Sequence, residues 1–413
     1  MGSNSSTSSS SQLKKQYFKV VDKAKREYTH RKCSYITRSS HPDWRVSVYR
    51  DLEALEGYLP DMRWPAELRR LLQGWDILRD QRWRSNTIWF DYLNTTSRPS
   101  TIPSPKASIC QLERPLPNLP FCELECKTFL EFFSLHLDSP QTHAVAAMIQ
   151  VFHREFREAY VDKNCDTSEE PGFHISKAIR SETDVKRLLQ EVHLIIELCI
   201  ETFRSYYGGI DLEKLMSDHF KEMQDLITEK VLTSEAHDIL LQAFSRVDTD
   251  RETAVVKQIS RYSDLTTVDL GIESVFCIDT PRFEGQDEFG YGKAIRRLME
   301  LQTTPSPMQK LQCIMDTTRR ICECIDDYWK HSDISCDKLV INADQILSVF
   351  IYVVLQARIT NLNSHVRLIN EFVRDEVLFG NCGYYTATIA ASLEHILLMD
   401  EGMLRKLRGL EKF

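Results

Sequence analysis

Few residues of this chain could do chemistry, and the pattern they make is non-covalent. There is no Gly-rich phosphate loop and no convincing nucleophile–base set. Twelve cysteines are scattered, and the closest pairs, Cys322/Cys324 and Cys122/Cys126, lack a matching His or Cys pair at zinc-site spacing. They read as reduced thiols of a cytosolic protein, and His193 and His395 fall in helical stripes as core or edge residues. No metal and no cofactor are expected. What remains is a carboxylate, Asp344, and a tyrosine pair, Tyr384 and Tyr385, each opening a strongly apolar run. A carboxylate works through its charge, a phenol through packing and one hydrogen bond.

The elements that hold these residues are helices. Asn342 is a good N-cap, so Ala343 and Asp344 fall in a first turn. The run ILSVFIYVVL that follows is apolar on every side and must be surrounded by other helices. Asp344 therefore sits at the rim where a buried helix emerges. An acid there also complements the helix dipole, by about 0.3–1 kcal/mol, and needs no other reason to be present. Gly383 offers positive φ and a tight entry to the next helix, whose buried stripe is Ile389, Leu393, Ile396 and Leu397. Either one tyrosine packs while the other faces out, or both belong to the core with a hydroxyl bonded at its edge.

The rest of the chain sorts into zones. Its 413 residues suffice for two or three domains, and 42% hydrophobic with 27% charged content is ordinary for a globular protein. A net charge of −8 gives no ground for a nucleic-acid partner. No run reaches the roughly 18 apolar residues a membrane-spanning helix needs. Residues 1–12 are Ser-rich and expected to be disordered. Residues 13–93 hold five of the six tryptophans and many arginines. There Leu68, Leu71, Leu72 and Trp75 predict a short amphipathic helix, read as a small core in preference to a partner patch. Residues 94–120 carry six prolines and read as a linker. Residues 121–278 predict a helical bundle, with a weak strand signal only at 266–278, and residues 279–413 a second helical domain. The expected fold class is all-α, a layered helical bundle.

Four segments in order resemble the vacuolar-protein-sorting-nine (VPS-nine) domain. TPSPMQKLQCIMDTTRRI (304–321) resembles that family's helix with a Lys-Leu pair after a proline turn. NADQILSVFIYVVLQA (342–357) resembles its alanine-aspartate helix, NLNSHVRLINEF (361–372) the next turn and helix, and GNCGYYTATIAASLEHI (380–396) its glycine-tyrosine helix. Over VVLQARITNLNSHVRLI the alsin type is the nearest in resemblance. The resemblance implies guanine-nucleotide exchange on a small Rab GTPase of the early endosome, in the Rab-five subfamily, without a cofactor. It implies that Asp344 is the finger aimed at the GTPase nucleotide site and Tyr384 a contact to a switch segment. It makes Ser348, Asn361, Tyr385, Ala387 and Thr388 further partner-facing positions, with a structural part for Asn361 in its turn. Two departures are Ser348, where the family carries proline, and Ala387, where it carries threonine beside Thr386 and Thr388. These two make a second reading available: a helical scaffold that binds a Rab or another trafficking partner with little exchange activity.

The start Met1-Gly2-Ser3-Asn4-Ser5-Ser6 fits an N-myristoylation pattern at Gly2. A single acyl chain binds membranes marginally, and Lys14, Lys15, Lys19, Lys23, Lys25 and Arg26 offer the basic second signal. Expected localisation is cytoplasmic, peripherally at endosomal membranes. The C-terminal EGMLRKLRGLEKF reads as a short helix docked on the bundle.

Overall fold

Local signals place several helix starts. Asn342 turns its side-chain oxygen to the Gln345 N–H at 2.9 Å, capping the helix that carries Asp344. Ser306 does the same for the Gln309 N–H at 3.3 Å, with Pro307 in the first turn where its missing N–H costs nothing. In the computed structural model the described residues are 44–58, 62–73, 133–134, 137, 143–161, 175–176, 179–206, 219–232, 235–278, 290–330, 332, 334, 339–380 and 382–407. Expectations for Gly2, the basic residues after it, residues 94–120, and Trp75, Trp83 and Trp89 lie outside them.

The described residues form α1 (Trp44–Tyr58), α2 (Trp64–Gln73), α3 (Ala144–Tyr160), α4 (Glu182–Tyr206), α5 (His219–Leu232), α6 (Glu235–Val247), α7 (Thr249–Tyr262), α8 (Gly292–Met299), α9 (Pro307–Trp329), α10 (Ala343–Ala357), α11 (Leu362–Phe372), α12 (Asp375–Leu378), α13 (Gly383–Leu398) and α14 (Glu401–Leu407). The protein is all-α; its one described β-bridge joins Val161 and Ile175. The strand hint at 266–278 is corrected. Thr266 donates from its N–H and hydroxyl to Asp269 at 3.0 and 2.9 Å, Gly271 takes φ 67°, and a 3-10 turn follows at Ser274–Phe276. The apolar residues of this segment, Leu270, Ile272, Phe276 and Ile278, are buried individually by coiled backbone. Among the described residues no single helix is long and apolar enough to cross a membrane.

Two compact units divide the chain. The first takes Met1–Ser176 and Lys186–Ala236, the second Lys177–Val185 and His237–Phe413. The first has an aromatic core: Trp64 meets Phe152 edge-on at 5.9 Å, and Phe133 meets Phe203 at 4.6 Å. Trp64, Leu68 and Leu72 are the buried stripe of α2, which places Trp64 in core.

The second unit has one apolar core running from Val255 of α7 to Leu404 of α14. It is built on α10, whose Val349, Phe350, Ile351, Val353, Val354 and Leu355 are all buried, as a helix apolar on every side requires. His237–Ile278 share this unit, so contacts do not divide at the expected 278/279 boundary.

A buried cation sits in this core. Lys310 is fully buried; its ammonium donates to the Leu301 carbonyl at 2.8 Å and to His365 Nδ1 at 3.1 Å, tying α9 to a second 3-10 turn, Glu300–Gln302, and to α11. Burial lowers Lys310 to about 8. Burial, then Lys310, then His237 lower His365 from 6.5 to about 3. Below about pH 6.5 the unfolded chain takes up a proton that folded His365 refuses, so this residue costs stability as pH falls toward 3. At pH 5 the cost is about 2 kcal/mol. Thermal unfolding between pH 7 and 4.5 is expected to show a steeper fall for the native protein than for His365→Asn, which keeps a carbonyl for Lys310. Equal slopes would mean that His365 protonates freely in the fold.

Candidate functional site

Asp344 and Tyr384 are brought to one end of the second unit by the way three helices are tied. α10 packs against α13. Arg251 of α7 donates from Nε to Asn363 Oδ1 at 2.9 Å and from Nη2 to Glu394. Asn363 follows closely after the C-terminal end of α10, and Glu394 lies near the C-terminal end of α13. With α10 packed on α13 and Glu394 tied through Arg251 to the residues just beyond α10, the two helices run in the same sense, so the starts bearing Asp344 and Tyr384 lie toward the same end of the unit.

At that end Asp344 is exposed and has no cationic partner among the described residues. Its own backbone carbonyl accepts from the Ser348 hydroxyl at 3.2 Å. Ser348 thus adds a bond to the first turns of α10, where a proline would remove one. Tyr384 is 44% exposed, while Tyr385 is half-buried against the core, its ring edge-on to Tyr384 at 5.4 Å. One tyrosine packs and the other faces out.

The turn that presents Tyr384 depends on close approach. A Cβ on Gly383 would lie 2.1 Å from the Leu378 carbonyl oxygen, and one on Gly380 would lie 2.8 Å from that of Glu376. Gly383 has no positive φ, contrary to the expectation; among described glycines that conformation belongs to Gly271 and Gly290. Glycine is needed here because backbone meets backbone.

Ala387 is exposed. Its neighbours supply no hydroxyl in its place, since Thr386 donates to the Gly383 carbonyl at 3.0 Å and Thr388 to that of Tyr384 at 2.8 Å. Thr388 is only 6% exposed, so its geometry supports the turn under Tyr384 in place of the partner-facing part expected of it. Asn361 also departs from the grouping. It lies beyond the far end of α10, on the order of 20 Å from Asp344 at about 1.5 Å per helical residue. It takes φ 54°, which asparagine tolerates, and accepts from the Ser245 hydroxyl at 3.1 Å. A groove of about 730 Å³ lined by Ser245, Thr249, Glu252 and Asn361 opens at that far end, away from Asp344.

α7 supplies polar partners to the helices that carry the site. Glu252 is buried, and its Oε1 accepts from Ser364 N at 2.7 Å and Ser364 Oγ at 2.5 Å. It caps α11 from another helix, where Asn361 makes no side-chain cap. Gln258 Nε2 donates to the carbonyls of Ile396, Leu397 and Met399 at 3.2, 3.3 and 2.9 Å, closing the end of α13. The Tyr262 hydroxyl adds a bond to Met399 O at 3.3 Å. Sequence reading missed both caps, because each joins residues more than 100 apart. Glu252→Ala is expected to cost about 1–3 kcal/mol, the penalty of an unsatisfied buried donor. Glu252→Gln keeps the acceptor for Ser364 but sets an amide N–H where Oε2 has no partner, so it should lose less than Glu252→Ala without being neutral. Thermal denaturation of the two variants checks this; equal losses would place the effect in the charge and not the cap.

The described residues of the second unit make a helical domain with an exposed acid and an exposed tyrosine at the starts of two packed helices. Residues 291–401 match the family model described as the Vacuolar sorting protein 9 (VPS9) domain, and the chain carries a domain of that family. Similar proteins include VPS9 domain-containing protein 1 of Homo sapiens, 27% identical over 175 residues, 41% of this chain and 28% of that protein. Vacuolar protein sorting-associated protein 9A of Arabidopsis thaliana is 24% identical over 162 residues, 39% of this chain and 30% of that one. Alsin of Homo sapiens is 27% identical over 164 residues, 35% of this chain and 9% of alsin. The chain thus spans less than a third of the length of these relatives. α7, with its two caps, lies outside the matched residues.

Proposed function

We propose that this chain is a guanine-nucleotide exchange factor for an endosomal Rab GTPase of the Rab-five subfamily, acting from the cytoplasm at the membrane surface. The observation that carries this reading is the Asp344 carboxylate, exposed and without a cationic partner among the described residues, in the same VPS9 domain as the exposed Tyr384. A GTPase holds its nucleotide through a phosphate-binding loop, the lysine of that loop and a magnesium ion. Asp344 enters that site, pairs with the lysine in place of phosphate and disfavours magnesium. Tyr384 packs on a switch segment and holds it away from the nucleotide. Binding the empty GTPase better than the loaded one shifts the equilibrium toward release, with no bond made or broken in the factor. Tyr385, Ser348 and Ala387 shape the same end. Gly2 myristoylation with the basic residues after it would bring the factor to its membrane-bound partner.

A scaffold that binds the GTPase without exchanging it is the second reading, favoured by Ser348 and Ala387. The deciding measurement is release of fluorescent GDP from a panel of endosomal Rabs, with the native protein and with Asp344→Ala. Acceleration on at least one, lost in the variant, is expected; binding without acceleration on any would establish the scaffold.

A further inference from the structure

The pole that carries Asp344 and Tyr384 also exposes apolar side chains that nothing in the fold requires there. Phe379 is 80% exposed and Val340 74% exposed. Val340 lies two residues before the cap of α10, and Phe379 directly follows α12. The backbone then folds tightly: the Gly383 N–H donates to the Gly380 carbonyl at 3.1 Å, and Gly383 lies hard against Leu378 O. The bond between Gly383 and Gly380 leaves Phe379 and Tyr384 as the exposed aromatic residues on either side of it in the chain. α12 packs against α13 and so holds this turn in place.

A phenylalanine that gains no burial in the folded chain gives the fold almost none of its hydrophobic free energy. An isolated exposed apolar residue is ordinary, but Val340 lies four residues before Asp344 and Phe379 five before Tyr384, so each stands close along the chain to an exposed site residue. Together these residues offer apolar side chains and one negative charge. That suits a partner offering an apolar surface beside a cation, which is what a small GTPase presents when its switch segments and phosphate-loop lysine are uncovered.

We infer that Phe379 is a docking contact for the GTPase engaged at Asp344, and that it governs which GTPase is taken and how tightly. This rests on the exchange reading above. Phe379 sets affinity, whereas Asp344 acts on the bound nucleotide. Aromatic anchors at the centre of interfaces are the residues whose truncation costs most.

The test is GDP release from the Rab panel, measured against factor concentration, for the native chain, Phe379→Ala, Asp344→Ala and Leu398→Ala. Leu398 is as exposed as Val340, at 74%, but stands at the other end of α13 and serves as the control. Phe379→Ala is expected to raise the concentration needed for half-maximal release by about tenfold, with the saturating rate and the unfolding temperature unchanged. Leu398→Ala should leave the curve in place. If Phe379→Ala matches the native curve while Asp344→Ala is inactive, the docking inference falls and the exchange reading stands. If it lowers the saturating rate instead, Phe379 acts on the exchange step and the inference is overturned. No release by the native chain from any Rab overturns both.

Discussion

Replacing Asp344 by alanine is expected to slow GDP release by about a hundredfold or more, as truncating one member of a desolvated charge pair does. The folded protein should scarcely notice. Asp344 is exposed and has no cationic partner among the described residues, so its loss removes only a dipole interaction of about 0.3–1 kcal/mol. The cap that starts α10 is on Asn342 and survives. Asp344→Asn separates two readings of the residue. It retains a hydrogen-bonding group but cannot offset a lost phosphate charge, so it should fall close to the alanine variant if charge is what acts. Full activity in Asp344→Asn would refute the charge mechanism while leaving a contact role. Full activity in Asp344→Ala, with unchanged unfolding, would remove this residue from the site.

The second large effect is expected at Gly383. A methyl group there would stand 2.1 Å from the Leu378 carbonyl oxygen, a separation that cannot exist, so the backbone must move. Forced overpacking typically costs about 1–3 kcal/mol. The movement falls on the turn that holds Tyr384, so exchange should drop by at least about tenfold even where the variant is folded, since misplacing a site by about an ångström is enough. Gly380→Ala serves as a graded comparison, because its Cβ would meet Glu376 O at the less severe 2.8 Å. The expected order in both unfolding temperature and exchange is native, then Gly380→Ala, then Gly383→Ala. A Gly383→Ala protein with native unfolding and native exchange would show that the close approach is not needed.

Asp344 and the Gly383 turn also mark how far the sequence reaches. Asn342, Ser306 and Pro307 announce helix starts through contacts within three residues, and the structure has all of them. The apolar run after Asp344 required surrounding helices, and α10 is buried among them. The division of labour between the tyrosines was narrowed to two arrangements, of which Tyr385 in and Tyr384 out is the one adopted. These are local or periodic properties, written along the chain.

Other features had no such signal. The need for glycine at position 383 was legible, but its cause was not, because positive φ and close approach leave the same letter in the sequence. Asn361 was grouped with the site because it matched a family segment, yet helix length carries it to the other pole. Thr388 lies beside Ala387 in sequence, but the helical repeat turns it inward, where its hydroxyl bonds the Tyr384 carbonyl.

By itself, then, the sequence determined an all-helical chain, the helix starts that carry Asp344 and Tyr384, and the family those starts resemble. Each depends on spacing within a few residues. Tertiary structure alone decided that the two starts lie toward one end, through α10 packing on α13 and Arg251 tying the start of α11, just beyond α10, to Glu394 of α13. It also decided that Glu252 and Gln258 cap helices more than 100 residues away, and that Phe379 faces outward. Pairings between distant segments depend on the whole packing arrangement, and a buried polar group accepts whichever partner that packing brings within reach.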